Sequence, residues 1–161
     1  MELLAQLEHS GVVTWVHEST SVFAYPSILL LHTIGMALVV GIAAAIDLRV
    51  LGFAPAIPLA PLERFLPVLW LGFWINAVTG TVLFAIDARA KATSPDFLIK
   101  MAFIAFALIN LRLLRKHVFG DPDFDKRPLT TEAKVLAGTS LLFWLGAIVS
   151  GRLLAYVGPL R

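Results

Sequence analysis

The sequence predicts an all-α integral membrane protein, a four-helix bundle preceded by a short amphipathic helix at the membrane interface. Three observations carry this. Ser19 to Ile46 contains no acidic or basic residue except His32, and Phe65 to Ile86 contains none at all. Each run exceeds the roughly 20 residues that span a bilayer. With 58% hydrophobic and 15% charged residues, a chain of 161 could not hide its apolar surface in a soluble fold.

The elements follow in order. Residues 2–18 form the lead-in, with Leu3, Leu4, Leu7, Val12, Trp15 and Val16 recurring at helical spacing and Gly11 as a break point. No Lys or Arg precedes Arg49, so this segment is not expected to be a signal peptide. The four spans are expected at about 20–48, 65–87, 97–116 and 135–157 in a single transmembrane domain. The third is the weakest, because Lys100, Arg112 and Arg115 interrupt it.

The connections carry turn chemistry. Pro55, Pro58 and Pro61 block helix between Gly52 and Pro61. Ser94 and Pro95 form a helix start for the third span, and Thr131 is the expected cap of the fourth. Val118 to Thr131 is a polar loop with Asp121, Asp123, Asp125, Lys126 and Arg127. Gly72, Asn76 and Gly80 share one face of the second helix. Gly35, Gly138 and Gly146 supply small residues on the first and fourth. Such faces let helix backbones approach closely in lipid.

Charge bounds the partners. Eight of the 13 Lys and Arg flank the first and third connections. Cytoplasmic loops carry that excess, which places both termini outward, in the periplasm of a bacterial inner membrane. The net charge of +2 with basic residues at helix ends points to membrane orientation and not to nucleic acid. The absence of cysteine removes disulfides, thiolate-bound zinc, iron–sulfur clusters and covalent haem attachment.

Lys100, Arg152 and His32 are ionisable residues where a membrane helix disfavours them. Counting 1.5 Å per residue from the span centres, His32 lies about 4–5 Å to the outer side of the midplane. Lys100 and Arg152 both lie about 9 Å out on that side, and Asn76 sits near the midplane. Two cations roughly a turn outside a histidine suit a haem ligated at His32 with its propionates pointing outward. His117 lies about 20 Å from the depth of His32, too far to ligate the other face of one haem. His17 is an alternative second ligand if it folds back over the outer face. Asn110 is a further polar residue at depth. Plainer roles exist for each: interhelical hydrogen bonding for His32, Asn76 and Asn110, and interfacial reach for Lys100 and Arg152.

Short motifs carry a resemblance. They are Leu31-His32-Thr33-Ile34-Gly35, Asp47-Leu48-Arg49-Val50-Leu51-Gly52, Gly72-Phe73 through Val78-Thr79-Gly80, Phe97-Leu98-Ile99-Lys100 and Gly151-Arg152. With these the chain resembles an uncharacterised bacterial family of four-helix integral membrane proteins. That family belongs to a superfamily containing the haem-containing membrane protoporphyrinogen oxidases and the copper-resistance-D-type proteins. The resemblance implies a b-type haem fold with His32 as axial ligand and Arg49 and Lys100 as functional cations. Asp47 and Leu48 precede Arg49 where the oxidases carry a Pro-Arg pair, so the shared haem fold is implied rather than the oxidase reaction. Three Met, no Cys and scattered His make poor copper ligation.

Three functions are therefore expected in order. The first is electron transfer by a b-type haem membrane protein, with a redox partner protein or a quinone, in a homo- or hetero-oligomer. The second is a cofactor-free accessory or assembly subunit of a membrane complex. The third is a small transporter whose path is lined by His32, Asn76 and Asn110.

Overall fold

A computed structural model describes residues 2–8, 10–21, 23–120 and 128–156. Every regular element among them is a helix. The four long ones are α3 (Tyr25–Leu51), α5 (Leu66–Ala85), α7 (Pro95–Phe119) and α8 (Thr131–Tyr156). Helices α1 (Glu2–Glu8) and α2 (Gly11–Glu18) precede them, and α4 (Ala60–Glu63) and α6 (Ala88–Thr93) lie in the connections. The charged residues of the third connection at 121–127 lie outside the described residues.

Four helices are long and apolar enough to cross a membrane, yet only 17–33% of their most apolar windows is buried inside the protein. Leu30, Trp74 and Leu142 stand outward among many large apolar side chains. A helix apolar on all sides with an open outer face needs lipid around it. This is the surface of a multi-pass membrane protein.

Local chemistry sets the helix ends. Pro26, Pro67 and Pro95 occupy first turns, where the missing N–H costs nothing. Helix α3 runs to Leu51, beyond the expected end at 48, because Gly52 terminates it. Gly52 adopts φ 103°, and its N–H bonds Arg49 O at 3.1 Å while that of Phe53 bonds Leu48 O at 2.9 Å. Arg49 then ties down the following loop, donating to the carbonyls of Ile57 and Pro55. Two caps differ from expectation. Thr130, not Thr131, accepts the Ala133 N–H at 3.2 Å, and Ser94 holds the cap position of α7 without a side-chain bond. Pro61 lies inside α4 rather than blocking it, since it fits the first turn.

The lead-in is two helices, divided beside the expected break at Gly11. Its second half buries Val13 and Val16 and leaves Trp15 exposed, so the packed face is rotated from the expected one. Glu8 joins α1 to α6, accepting the Arg89 backbone N–H at 2.9 Å and its Nε at 2.7 Å.

Two close pairs build the bundle. Helix α3 packs on α5, α7 packs on α8, and α3 with α8 joins the pairs. At the α3–α5 crossing the backbones touch. A Cβ on Gly35 would stand 2.8 Å from Asn76 N and Gly72 O, and one on Gly72 would stand 2.7 Å from Leu38 Cβ. Gly146 takes the Phe103 ring in the same way across α7–α8. Gly41 and Gly138 face open space instead. Helices α5 and α7 are not a closely packed pair. Stacking of Phe84 on Phe97 at 5.0 Å links them at the α6 end. At the α4 end, Ile46, Val50, Leu59, Leu69, Leu114 and Val118 make a tight core.

Gly72→Val is expected to force α3 and α5 apart, at an overpacking cost of about 1–3 kcal/mol. Gly41→Ala should match the parent or exceed it slightly, since nothing opposes its methyl. Thermal melts in one detergent check both. Equal melting of Gly72→Val and parent would show that the backbone contact does not hold the pair.

Candidate functional site

The gap left between α5 and α7 is a cavity of about 430 Å³, bordered by all four long helices. Its size falls within the roughly 300–1,000 Å³ of small-molecule and cofactor sites. On α7 it extends from Phe97 to Leu108, about 16 Å of helix along the bundle axis. Met36, Val40, Phe73, Phe84, Ile104 and Trp144 make the walls largely apolar. His32, Asn76, Thr81 and Lys100 are the polar residues among them.

The protonation of His32 follows from its partners. Its Nδ1 stands 3.1 Å from the Asn76 carbonyl oxygen and 3.0 Å from Thr79 Oγ1. The carbonyl can only accept. Thr79 directs its own hydroxyl proton to Ile75 O at 2.6 Å, so it too accepts from the ring. Nδ1 therefore carries a proton, and when the ring is neutral its lone pair is on Nε2. A ring N–H held by a backbone carbonyl is the usual support of a metal-ligating histidine. Asn76 Nδ2 donates back to His32 O at 2.8 Å, so the two residues lock α3 and α5 reciprocally. Gly80 makes the space for the ring: a Cβ there would stand 3.0 Å from His32 Cε1.

Lys100 enters the cavity wall from α7. Its stem runs over Gly151 of α8, where a Cβ would stand 3.5 Å from Cε. None of the described ion pairs involves it. His32 and Lys100 are close enough to interact electrostatically, as are Lys100 and Lys91. Lys91 donates to the Leu83 carbonyl. Burial lowers its pKa, and the nearby Asp87 carboxylate works in the opposite direction. The α6 end of the cavity is thus cationic, a setting for an anionic group.

The remaining predicted residues do not line this cavity. Arg152 follows Gly151 but is exposed. Arg49 sits at the α4 end, bonded to its loop. His17 is exposed and lines a separate recess with Glu8, Glu18 and Asp87. His117 is at the α4 end, with Nδ1 2.9 Å from Leu113 O and Nε2 3.8 Å from Glu132. Asn110 joins α7 to α8, donating to Leu136 O at 3.0 Å and Thr139 Oγ1 at 2.7 Å. The polar layer expected of a transport path therefore divides into two parts. Among the described residues no group of three or more His, Cys, Asp or Glu could hold a metal ion.

Sequence reasoning passed over Lys91, Trp144 and Asp47. Lys91 belongs to a helix hidden in a polar connection. Trp144 shares a helix face with Ser140 and Ala147, a small-residue spacing that marks the inner side. Asp47 looks like an ordinary helix-end charge but is buried.

Nitrogen NMR of histidine-labelled protein should show neutral His32 as the Nδ1–H tautomer, with an unprotonated Nε2. The Nε2–H tautomer would contradict the acceptor argument for Asn76 and Thr79.

No family model, curated protein or solved structure matches the chain. What the cavity holds must be argued from its own residues.

Proposed function

We propose that the protein is a b-type haem membrane protein that transfers electrons, with the cavity as the haem site. The observation that carries this reading is one histidine and one lysine on the same apolar cavity. The histidine has Nδ1 committed to a carbonyl, and the lysine lacks a described carboxylate partner.

The residues fit the group. His32 would supply Nε2 as axial ligand, and its Nδ1–H bond to Asn76 O fixes the ring and raises its basicity. Lys100 would pair with a propionate, reinforced by the positive charge of Lys91. Met36, Phe73, Ile104 and Trp144 would exclude water from the macrocycle. Bound haem supplies reversible one-electron chemistry. Neither His17 nor His117 lines the cavity, so neither would be a second iron ligand. The excess of basic residues at the α4 end favours a bacterial inner membrane with both termini in the periplasm. A quinone or a redox protein would be the electron partner, reached at the α6 end where the cations lie.

Protein purified in detergent after expression with haem supplied should show a strong Soret band, with α and β bands on dithionite reduction. His32→Ala should abolish the haem, and Lys100→Met should weaken retention about 10- to 100-fold, the worth of a hydrogen bond to a charged group. A colourless parent would overturn the proposal and favour a cofactor-free accessory subunit, with Lys100 meeting a lipid head group or a partner's carboxylate. A His32→Ala protein with unchanged haem content and spectrum would remove the ligand assignment.

A further inference from the structure

A second polar group lies in the packed half of the bundle, outside the cavity's own chemistry. Asp47 is 1% exposed, and neither of its carboxylate oxygens has a hydrogen-bond partner. Three other buried atoms share that condition: Ser140 Oγ, Asn110 Oδ1 and Trp144 Nε1. Their residues are 0%, 4% and 5% exposed. Most native buried polar atoms are paired, so four such side chains together call for an explanation.

They gather around one stretch of α8. Asp47 approaches Ser140 across the α3–α8 contact without a hydrogen bond of normal geometry. Trp144 is one turn further along the same helix. Asn110 is anchored to Leu136 and Thr139, just before Ser140. Leu136 to Trp144 covers about 12 Å of helix.

No described cation faces Asp47. Helix α5 carries no ionisable residue. Arg49, on the same helix, is bonded to the loop carbonyls. Glu132 and Lys134 at the start of α8 are exposed, as are Arg112, Arg115, Lys116 and His117 on α7. Glu63 and Arg64 of the α4 segment line a surface recess with Arg115. An ionised carboxylate in this interior, with no described cation and at most the Ser140 hydroxyl beside it, is strongly disfavoured.

Either a proton or a metal cation would remove that charge. The orphaned atoms discriminate between them. A metal ion would use the oxygens but would leave the Trp144 N–H, a donor, unanswered. A protonated Asp47 brings one new donor for Ser140 or Asn110 and keeps a carbonyl oxygen to accept.

We infer that Asp47, with Ser140, is a proton-binding site within the membrane-spanning part of the bundle. The α4 side is the nearer end of the bundle, since α3 ends at Leu51, one turn away. Ser140 supplies the hydroxyl that positions the acid. The site does not depend on what the cavity holds.

The test uses the full chain in liposomes. A hydrophobic carbodiimide reacts with protonated carboxyls in apolar surroundings, and peptide mass spectrometry locates the adduct. Asp47 should be labelled, faster at lower pH and at the same rate with or without sodium ions. Infrared spectra should contain a protonated-carboxyl band that Asp47→Asn removes. Ser140→Ala, which keeps the acid, should shift that band. Protection by sodium would replace the proton by a metal cation and overturn the proposal. A spectrum without the band, or a band unchanged in Asp47→Asn, would overturn it equally.

Discussion

The bundle depends on the contact between the α3 and α5 backbones at Gly35 and Gly72. In lipid, apolar side chains gain little by meeting one another, so helix association rests on close packing and interhelical hydrogen bonds. The glycine crossing provides the first and thereby permits the second. With the backbones this close, Asn76 reaches the carbonyl of His32 while its own carbonyl receives the His32 ring. Gly80, two turns beyond Gly72, leaves room for the imidazole itself. Helix packing and the placement of the most distinctive side chain are one event. The cavity is its counterpart, because helices committed to α3–α5 and α7–α8 pairs leave α5 and α7 apart.

Polar groups then divide the bundle lengthwise. Toward the α6 end, a lysine and a histidine border an open, apolar space. Toward the α4 end the interior is filled, and its polar atoms belong to Asp47, Ser140 and Asn110. The first region offers positive charge to a guest. The second must neutralise a negative charge within itself. Trp144 stands at the boundary, its ring bordering the cavity while its Nε1 is sealed in the packed interior.

The four spans were legible because a charge-free run longer than a bilayer is thick admits few other readings. Helix ends were less so, since they hang on single caps: Gly52 extended α3, and Thr130 rather than Thr131 began α8. His32 and Lys100 do line one cavity, as counting 1.5 Å per residue suggested. Azimuth was not legible. Arg152 shares the depth of Lys100 but is exposed, because neighbouring residues on a helix point about 100° apart and Gly151 faces Lys100 instead. The same limit hid Asp47, whose position near a helix end hid the direction of its side chain.

Asp47 and Arg49 show how far two residues can separate the roles of similar-looking charges. Both close α3, and both belong to one short motif. Arg49 points to the loop, where backbone carbonyls satisfy it near the membrane surface. Asp47 is 200° further round the helix and faces α8, where no cation among the described residues meets it. A buried acid without a counter-ion is costly to an ordinary scaffold, and an asparagine or leucine of similar size would pack there with less difficulty. The acid is therefore best explained by chemistry that only an acid performs, the reversible holding of a proton.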